Sequence, residues 1–126
     1  MSVFTRYLIT PVPKPRQTRA DKYLKRPPVM RYRAFADEAR LKIKGLPSEP
    51  LHVVFVMPMP KSWSPKKRTE HNLRPHRQTP DFDNLAKAFF DALFPKQDSQ
   101  WSDVRVSKLW GQKGEIWVRS IPNDWR

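Results

Sequence analysis

The most apolar stretch of the chain is the run LHVVFVM at residues 51–57, which has a proline on each side. Its valines and its aromatic residue favour extended backbone, and a short continuous apolar run predicts a strand buried on both faces. Near the carboxyl end, Val104–Trp110 alternates apolar and polar positions, which predicts a strand with one solvated face. The stretch 111–114 holds two glycines and predicts a turn, after which Glu115–Ile121 predicts the antiparallel return of a hairpin.

The pattern changes to a helical period over residues 81–93, directly after a proline. With a turn of about 100° per residue, one side of this helix collects apolar positions. These positions are Leu85, Ala88, Phe89, Ala92 and Leu93. Asp83, Lys87 and Asp91 recur every fourth residue and lie together on the other side. The helix therefore has one face for a core and one face for a charged ligand.

Two further elements lie nearer the amino terminus. Residues 3–10 are rich in β-forming side chains and predict a short strand that ends at a proline. A helix is predicted from Pro28 to about Lys44. The residues expected to be buried from it are Met30, Phe35, Ala39, Leu41 and Ile43. The order of elements predicts one α/β (α+β) domain over residues 1–126, with a small mixed sheet of about four strands and two main helices packed on it.

The charge of the chain is strongly unbalanced, because 25 Lys and Arg residues against 12 Asp and Glu give a net charge of +13. This excess indicates a polyanionic partner, and nucleic acid is favoured because its phosphates neutralise the cations. A membrane surface is the less favoured partner, because the sequence shows no long basic amphipathic helix. The chain has no apolar run of about 18 residues, so no transmembrane span is expected, and its first residues lack a signal-peptide core. The absence of cysteine excludes disulfides and is typical of a cytoplasmic protein.

Two intensely basic segments, at about residues 14–33 and 58–80, are predicted as loops that contact DNA. The residues predicted to bind DNA are Lys14, Arg16, Arg19, Lys22, Lys61, Trp63, Lys66, Lys67, Arg68, Arg74, His76 and Arg77. A solvated charged surface is the alternative for either segment taken alone. Trp63 stands among the cations of the second segment, where it either stacks on bases or anchors the loop on the domain.

The acids of this basic chain are concentrated where hydrolysis of a phosphodiester would use them. Asp81 and Asp83 lie at the entrance of the second predicted helix, and Asp103 lies at the entrance of the strand that follows. Such carboxylates suit a pair of Mg²⁺ ions. Lys87, one turn into the helix, would either contact the scissile phosphate or orient the attacking water. Ordinary structural roles are the alternative. Asp81 would cap the helix, Asp83 would complement its dipole, and Lys87 would pair with acids four residues away. Asp103 would close a turn.

Two motifs together carry a resemblance to known proteins. The first is PDFDNLAKAFFDAL at residues 80–93, and the second is WSDVRV at residues 101–106. Both resemble the signature of the RusA family of Holliday junction resolvases. The resemblance extends to PKSWS at residues 60–64, to PH at residues 75–76 and to the stretch 11–35, as in phage and prophage members. It therefore covers most of the chain.

The resemblance implies a RusA-like fold and a Mg²⁺-dependent endonuclease, with Mn²⁺ as a substitute, that resolves Holliday junctions and related branched DNA by paired symmetric cuts. It implies that Asp81, Asp83 and Asp103 are the catalytic, metal-binding aspartates and that Lys87 is the catalytic lysine. Asp91 matches a family position and is interpreted as structural or as a partner of Lys87. The family is homodimeric, as two symmetric cuts require, and no small-molecule cofactor is implied.

Three positions modify the expectation taken from the family. Pro80 stands where some relatives have a basic residue, and Ser102 stands where a second acid is common. Both departures keep the three aspartates but bear on phosphate contact and on metal affinity. Phe90 lies away from the apolar face of its helix, so we expect it to be exposed at the dimer interface. The alternative function is that of a basic nucleic-acid-binding protein without catalytic activity.

Overall fold

The computed structural model describes residues 3–15, 26–95 and 101–122 of the chain. Its elements are β1 (Thr5–Tyr7), α1 (Pro27–Lys42), β2 (Leu51–Pro58), α2 (Pro65–His71), α3 (Phe82–Leu93), β3 (Val104–Gly111) and β4 (Glu115–Ser120). The four strands form one mixed sheet in the order β1–β4–β2–β3, with β2 and β3 parallel and the other pairs antiparallel. This α+β architecture confirms the predicted fold class, although β1 is shorter than the strand predicted over residues 3–10. No helix in the described ranges is long and apolar enough to cross a lipid bilayer.

The strand β2 occupies the middle of the sheet because its sequence is apolar on both faces. Residues 51–57 are all buried, and β3 and β4 cover its two edges. On one face, the ring of Phe55 lies 5.8 Å from the ring of Phe89 in α3, within the main core that also includes α1. On the other face, Val54 belongs to a smaller cluster around Trp117. Both long helices therefore pack on the same side of the sheet.

The predicted hairpin between the last two strands is wrong, because β2 lies between β3 and β4. The connection over residues 112–114 passes the end of β2, where Gly111 lies against Val56. A Cβ atom at Gly111 would stand 2.3 Å from the side chain of Val56, so this crossing needs glycine. A strand that is apolar on both faces buries the most apolar surface when it lies in the middle of the sheet. The local turn pattern does not show which strand takes that position.

The helix α1 has nearly the predicted bounds, but its buried face differs from the prediction. Its buried side chains are those of Val29, Phe35, Ala36 and Ala39, and Ile43 at the cap is buried as well. Positions 29, 36 and 43 recur every seven residues and define the buried stripe. Met30 and Leu41, predicted to be buried, fall beside this stripe and are 41% and 70% exposed.

The two basic segments are less loop-like than predicted. The first contains the start of α1, and its residues 16–25 lie outside the described residues. The second contains α2, which begins after Ser64. The hydroxyl of Ser64 accepts a hydrogen bond from the backbone N–H of Lys67 at 3.2 Å, and Pro65 occupies the first turn. A polar N-cap residue followed by proline therefore starts a helix, although the many charges of this segment led to the prediction of a loop.

The helix α3 uses its apolar face as predicted, but one residue beside that face was misplaced. Leu85, Ala88, Phe89 and Ala92 are buried. Phe90, predicted to be exposed at an interface, is only 8% exposed. Its ring lies 5.3 Å from the ring of Trp101, just before β3. The prediction of an exposed Phe90 is wrong because the approach to β3 brings an aromatic residue over that side of the helix.

Candidate active site at the entrance of helix α3

The entrance of α3 presents two carboxylates to solvent. Asp81 is the N-cap residue by its backbone, with φ −68° and ψ 149°, yet its side chain makes no capping hydrogen bond to the helix. Asp83 lies in the first turn, and its carboxylate accepts a bond from the backbone N–H of Asn84 at 2.9 Å. Both aspartates are exposed. The capping alternative therefore does not account for Asp81, and two hard oxygen ligands remain open one residue apart.

Both carboxylates line one open cavity of about 550 Å³. The other residues that line it are His76, Arg77, Gln78, Thr79, Phe82 and Lys108. The cavity therefore combines the two acids with the cations Arg77 and Lys108. A cavity with charges of both signs suits a ligand that brings anionic phosphate together with a metal cation.

Lys108 reaches this cavity from β3. Its ammonium group donates hydrogen bonds to the backbone carbonyls of Gln78 and Pro80, the latter at 2.6 Å. Burial lowers the pKa of Lys108, and the nearby carboxylate of Asp81 raises it in part. Lys108 thus ties the segment before α3 to the sheet and lies beside the first carboxylate of the pair.

The segment before α3 runs along the outer edge of β3. The Trp110 N–H donates to the carbonyl of Arg74 at 2.9 Å, and the His76 N–H donates to the carbonyl of Lys108 at 3.0 Å. The His76 ring lies 4.0 Å from the ring of Trp110. Burial, with the charge of Lys108, lowers the pKa of His76, which keeps the imidazole neutral at neutral pH. His76 is therefore a packing residue that anchors this segment.

Lys87 lies one turn beyond Asp83 and is exposed. Within the described part of the chain, it forms no ion pair with Asp83 or Asp91. Asp91 pairs instead with the ammonium group of Lys14, which reaches α3 from the amino-terminal segment. The surface-pair alternative for Lys87 is therefore not what the structure shows, and Asp91 has a structural partner other than Lys87.

Asp103 is not among the residues that line the cavity of Asp81 and Asp83. Asp103 precedes the first residue of β3, whereas Lys108, beside Asp81, lies further along the same strand. At about 3.3 Å per residue, positions 103 and 108 are about 16 Å apart. Across residues 3–15, 26–95 and 101–122, no three acidic or histidine side chains form a group that could hold a metal ion. Val104, the residue after Asp103, lines one cavity with Lys87 of α3, and the metal-binding role of Asp103 stays a prediction.

Asp103 lies instead in a cluster built around Glu49. The Glu49 carboxylate accepts hydrogen bonds from the Ser102 hydroxyl at 2.8 Å, the Ser102 N–H at 3.2 Å and the Asp103 N–H at 2.9 Å. These bonds, that of the Ser102 hydroxyl above all, lower the pKa of Glu49. Ser102, which replaces the second acid expected from the family, thus holds a carboxylate from the approach to β2.

Two residues of these clusters escaped the sequence prediction. No sequence pattern indicates the role of Glu49, because its hydrogen-bond partners lie more than fifty positions further along the chain. The sequence does indicate a role for Lys108, because it shares the strand face of Val106 and Trp110, which turn toward the helices. A lysine on the buried side of an amphipathic strand needs polar partners, and backbone carbonyls supply them here.

The residues predicted to bind DNA fall into three groups. The exposed ones are Lys61, Lys66, Lys67, Arg74 and Arg77. The ones engaged within the fold are Lys14, Trp63, Arg68 and His76. The ones outside the described residues are Arg16, Arg19 and Lys22. The ring of Trp63 packs 4.7 Å from that of Trp110, and Arg68 donates to the carbonyl of Pro60 at 2.8 Å. Trp63 is therefore placed as an anchor of the second basic segment on the domain.

An exposed pair of carboxylates with adjacent lysines, on a basic α+β domain, is the arrangement expected of a nuclease. The family model for endodeoxyribonuclease RusA matches residues 8–119 of the chain, which therefore belongs to the RusA family. No curated protein matches the chain significantly. The protein is thus an endodeoxyribonuclease of the Holliday-junction-resolving kind, and branched DNA is its class of substrate. This match confirms the resemblance found in the sequence motifs.

Proposed function

We propose that the protein resolves Holliday junctions by Mg²⁺-dependent hydrolysis at the entrance of α3, with Mn²⁺ as a substitute ion. The observation that carries the proposal is the pair Asp81 and Asp83, two exposed carboxylates on one open cavity of a family endonuclease. Mg²⁺ is held in proteins by one or two carboxylates, with water and substrate phosphate as its other ligands, and this donor set fits. When bound, the ion supplies positive charge to the phosphoryl oxygens and acidifies a water molecule.

The side chains of α3 divide the work at the scissile phosphate. Asp81 and Asp83 hold the ion and thereby define where the phosphate binds. Lys87 is exposed one turn beyond them, so its ammonium group is free to approach a phosphate oxygen and to offset the charge that develops there. Asp103 is the third proposed ligand of the ion, and Val104, the residue after it, lines one cavity with Lys87.

The second basic segment supplies the contacts with the junction arms. Its exposed cations are Lys61, Lys66, Lys67, Arg74 and Arg77. Arg77 lines the same cavity as Asp81 and Asp83, so this cationic surface is continuous with the cleavage site. Arg16, Arg19 and Lys22 remain proposed contacts of the first segment on the basis of sequence. Affinity that depends on phosphate contacts falls steeply as the salt concentration rises.

A homodimer accounts for paired cleavage. A four-way junction has strands related by two-fold symmetry, and two copies of one active site related in the same way can cut two of them together. The buried Phe90 is not part of the proposed interface. Sedimentation of the protein at the concentrations used for cleavage measures this step, and a monomer that still makes paired cuts would contradict it.

The test of the function is incubation of a synthetic four-way junction with the protein, with and without Mg²⁺. We expect symmetric nicks in two opposite strands with Mg²⁺, and a shifted but intact junction after chelation with EDTA. A linear duplex with the sequence of one arm pair is the matched control, because it lacks the branch. DNA that is bound but intact under every divalent-ion condition would make the protein a nucleic-acid-binding protein without catalysis. Equal cutting of the linear duplex would remove the selectivity for branched structure.

A further inference from the structure

We infer that Lys108 is a positioning residue for DNA cleavage, because it fixes the turn that presents Asp81 by hydrogen bonding two of its backbone carbonyls. The inference rests on the proposed function, in which Asp81 is a metal ligand. Lys108 belongs to β3 and lies outside the motif at the helix entrance. Its part in the site follows from contacts that the fold creates between strand and turn.

Lys108 holds the turn at three points. Its backbone carbonyl accepts a hydrogen bond from the His76 N–H at 3.0 Å. Its ammonium group then donates to the carbonyls of Gln78 and Pro80. The ammonium group of lysine has three donors, so these bonds occupy two of them. Since Pro80 directly precedes Asp81, the last of these bonds fixes the peptide that leads into the N-cap of α3.

Few other contacts restrain this turn, and one of them is a hydrogen bond from the Gln78 N–H to His76 Nδ1 at 3.4 Å. Among the described residues, the bond from His76 is the last backbone–backbone bond from the turn to the sheet before α3 begins. Gln78 and Thr79 are exposed, and the Asp81 side chain makes no capping bond to the helix. The position of the Asp81 carboxylate therefore depends on the ammonium group of Lys108. A displacement of about 1 Å in a catalytic group lowers a rate by about 100-fold.

A positioning role and a purely electrostatic role predict opposite effects on metal binding. Lys108 and Asp81 line the same cavity, and a cation there repels a divalent ion. If this repulsion were the whole effect of Lys108, its removal would tighten metal binding. If Lys108 holds Asp81 in place, its removal weakens metal binding. The positioning role is the one inferred here, and the sign of the change decides between the two.

The test compares three variants of the full chain. Lys108→Met keeps the aliphatic stem and removes the donors, while Lys108→Arg keeps a cationic donor. Lys113→Met is the matched control, because it removes the same charge from an exposed turn. Mn²⁺ binding is measured by electron paramagnetic resonance, and cleavage is measured in single turnovers of a four-way junction. We expect Lys108→Met to weaken Mn²⁺ binding at least about fivefold and to slow cleavage about 10- to 100-fold, with junction affinity changed less than about threefold. Lys108→Arg should recover most of the loss.

Each outcome decides one point. Tighter or unchanged Mn²⁺ binding by a folded Lys108→Met variant overturns the positioning role, as does a Lys113→Met variant with the same defect. Thermal unfolding shows whether the variant is folded, and Lys108→Gln replaces it under the same criteria if it is not. Asp81→Asn separates this inference from the proposed function. If Asp81→Asn cuts at the wild-type rate, the proposed function fails; if it is inactive while Lys108→Met is normal, only the inference fails.

Discussion

The carboxylates near the two ends of β3 differ in whether the protein itself hydrogen-bonds them. At the amino end, the Glu49 carboxylate accepts hydrogen bonds from both Ser102 and Asp103. At the carboxyl end, the Asp81 carboxylate makes no capping bond and lies open in a cavity beside Lys108. Glu49 therefore fixes the start of β3, whereas Asp81 remains available to a ligand. Availability, rather than acidity or spacing, separates the candidate catalytic acid from the structural one.

Lys108 and Lys87 differ in the same respect, namely whether the side chain is held by the protein or open to solvent. The ammonium group of Lys108 is engaged by two backbone carbonyls, whereas Lys87 is exposed and forms no ion pair within the described ranges. A lysine bound by carbonyls shapes the protein, and a lysine in solvent can reach a phosphate. We therefore expect Lys87 to act on the DNA and Lys108 to act on the site that receives it.

The largest effect is expected from Asp81→Asn and from Asp83→Asn. Each change keeps the shape of the side chain but removes one anionic ligand of the ion, so cleavage should fall at least about 1,000-fold. Junction binding should survive, because the chain carries a net charge of +13. Single-turnover cleavage and a gel-shift titration measure the two properties. Asp37→Asn, in an exposed acid of α1, is the matched control. Normal cleavage by either site variant would place the active site elsewhere.

Lys87→Ala should have the next largest effect. Loss of one cation that stabilises developing phosphoryl charge should lower the cleavage rate about 100-fold. The affinity for the junction should change little, because many other exposed cations contact phosphate. Lys113→Ala removes a comparable exposed charge away from α3 and controls for the loss of net charge. An unchanged rate for Lys87→Ala would return this lysine to the solvated surface.

The parts of the fold that the sequence predicts are those set by local pattern. The buried strand at residues 51–57 follows from a continuous apolar run, and the amphipathic helix up to Leu93 follows from its hydrophobic period. The structure confirms both. The false hairpin came from the same local reasoning. Its error lay in partner choice, since β4 pairs with β2 through a register that joins Val53 to Val118. Which strands pair depends on the stability of every possible pairing in the sheet, whereas a turn motif indicates only the pairing of the two strands that it joins.

The residues of the candidate site also differ in whether a local pattern or the pairing of distant strands places them. Asp81 and Asp83 are one residue apart, so a local motif was enough to place them together. The position of Asp103 depends on the parallel register of β2 and β3, which pairs Leu51 with Val104. That register puts Asp103 next to the start of β2, where its carbonyl accepts a hydrogen bond from the Leu51 N–H at 3.0 Å. No pattern within either strand encodes it.

Asp103→Asn tests whether the acid at the amino end of β3 is catalytic or structural. A third ligand of the ion predicts that the change abolishes cleavage, whereas a purely structural acid predicts a rate within about threefold of the wild type. We expect the first outcome in single-turnover cleavage of a four-way junction. Asp98→Asn changes the other acid of the sequence between α3 and β3 and is the comparison variant. A rate within about threefold of the wild type for Asp103→Asn would return Asp103 to a structural role.

The smallest effect is expected from Glu49→Gln, and it concerns stability. The hydrogen bonds of Ser102 and Asp103 lower the pKa of the folded Glu49 below its ordinary value of 4.5. A carboxyl group whose pKa is lower in the folded state stabilises the fold above its unfolded pKa and loses that contribution as pH falls through the folded value.

The wild type should therefore unfold at a higher temperature than Glu49→Gln at neutral pH. The gap should close as the pH falls below 4.5 and through the lowered pKa of the folded state. Thermal melts of both proteins across this range measure the gap, with Glu70→Gln in α2 as an exposed control. A gap that does not change with pH would mean that the carboxylate charge is not what holds the start of β3. In that case Glu49 would stabilise the turn through its shape, and the contrast with the open Asp81 would rest on geometry alone.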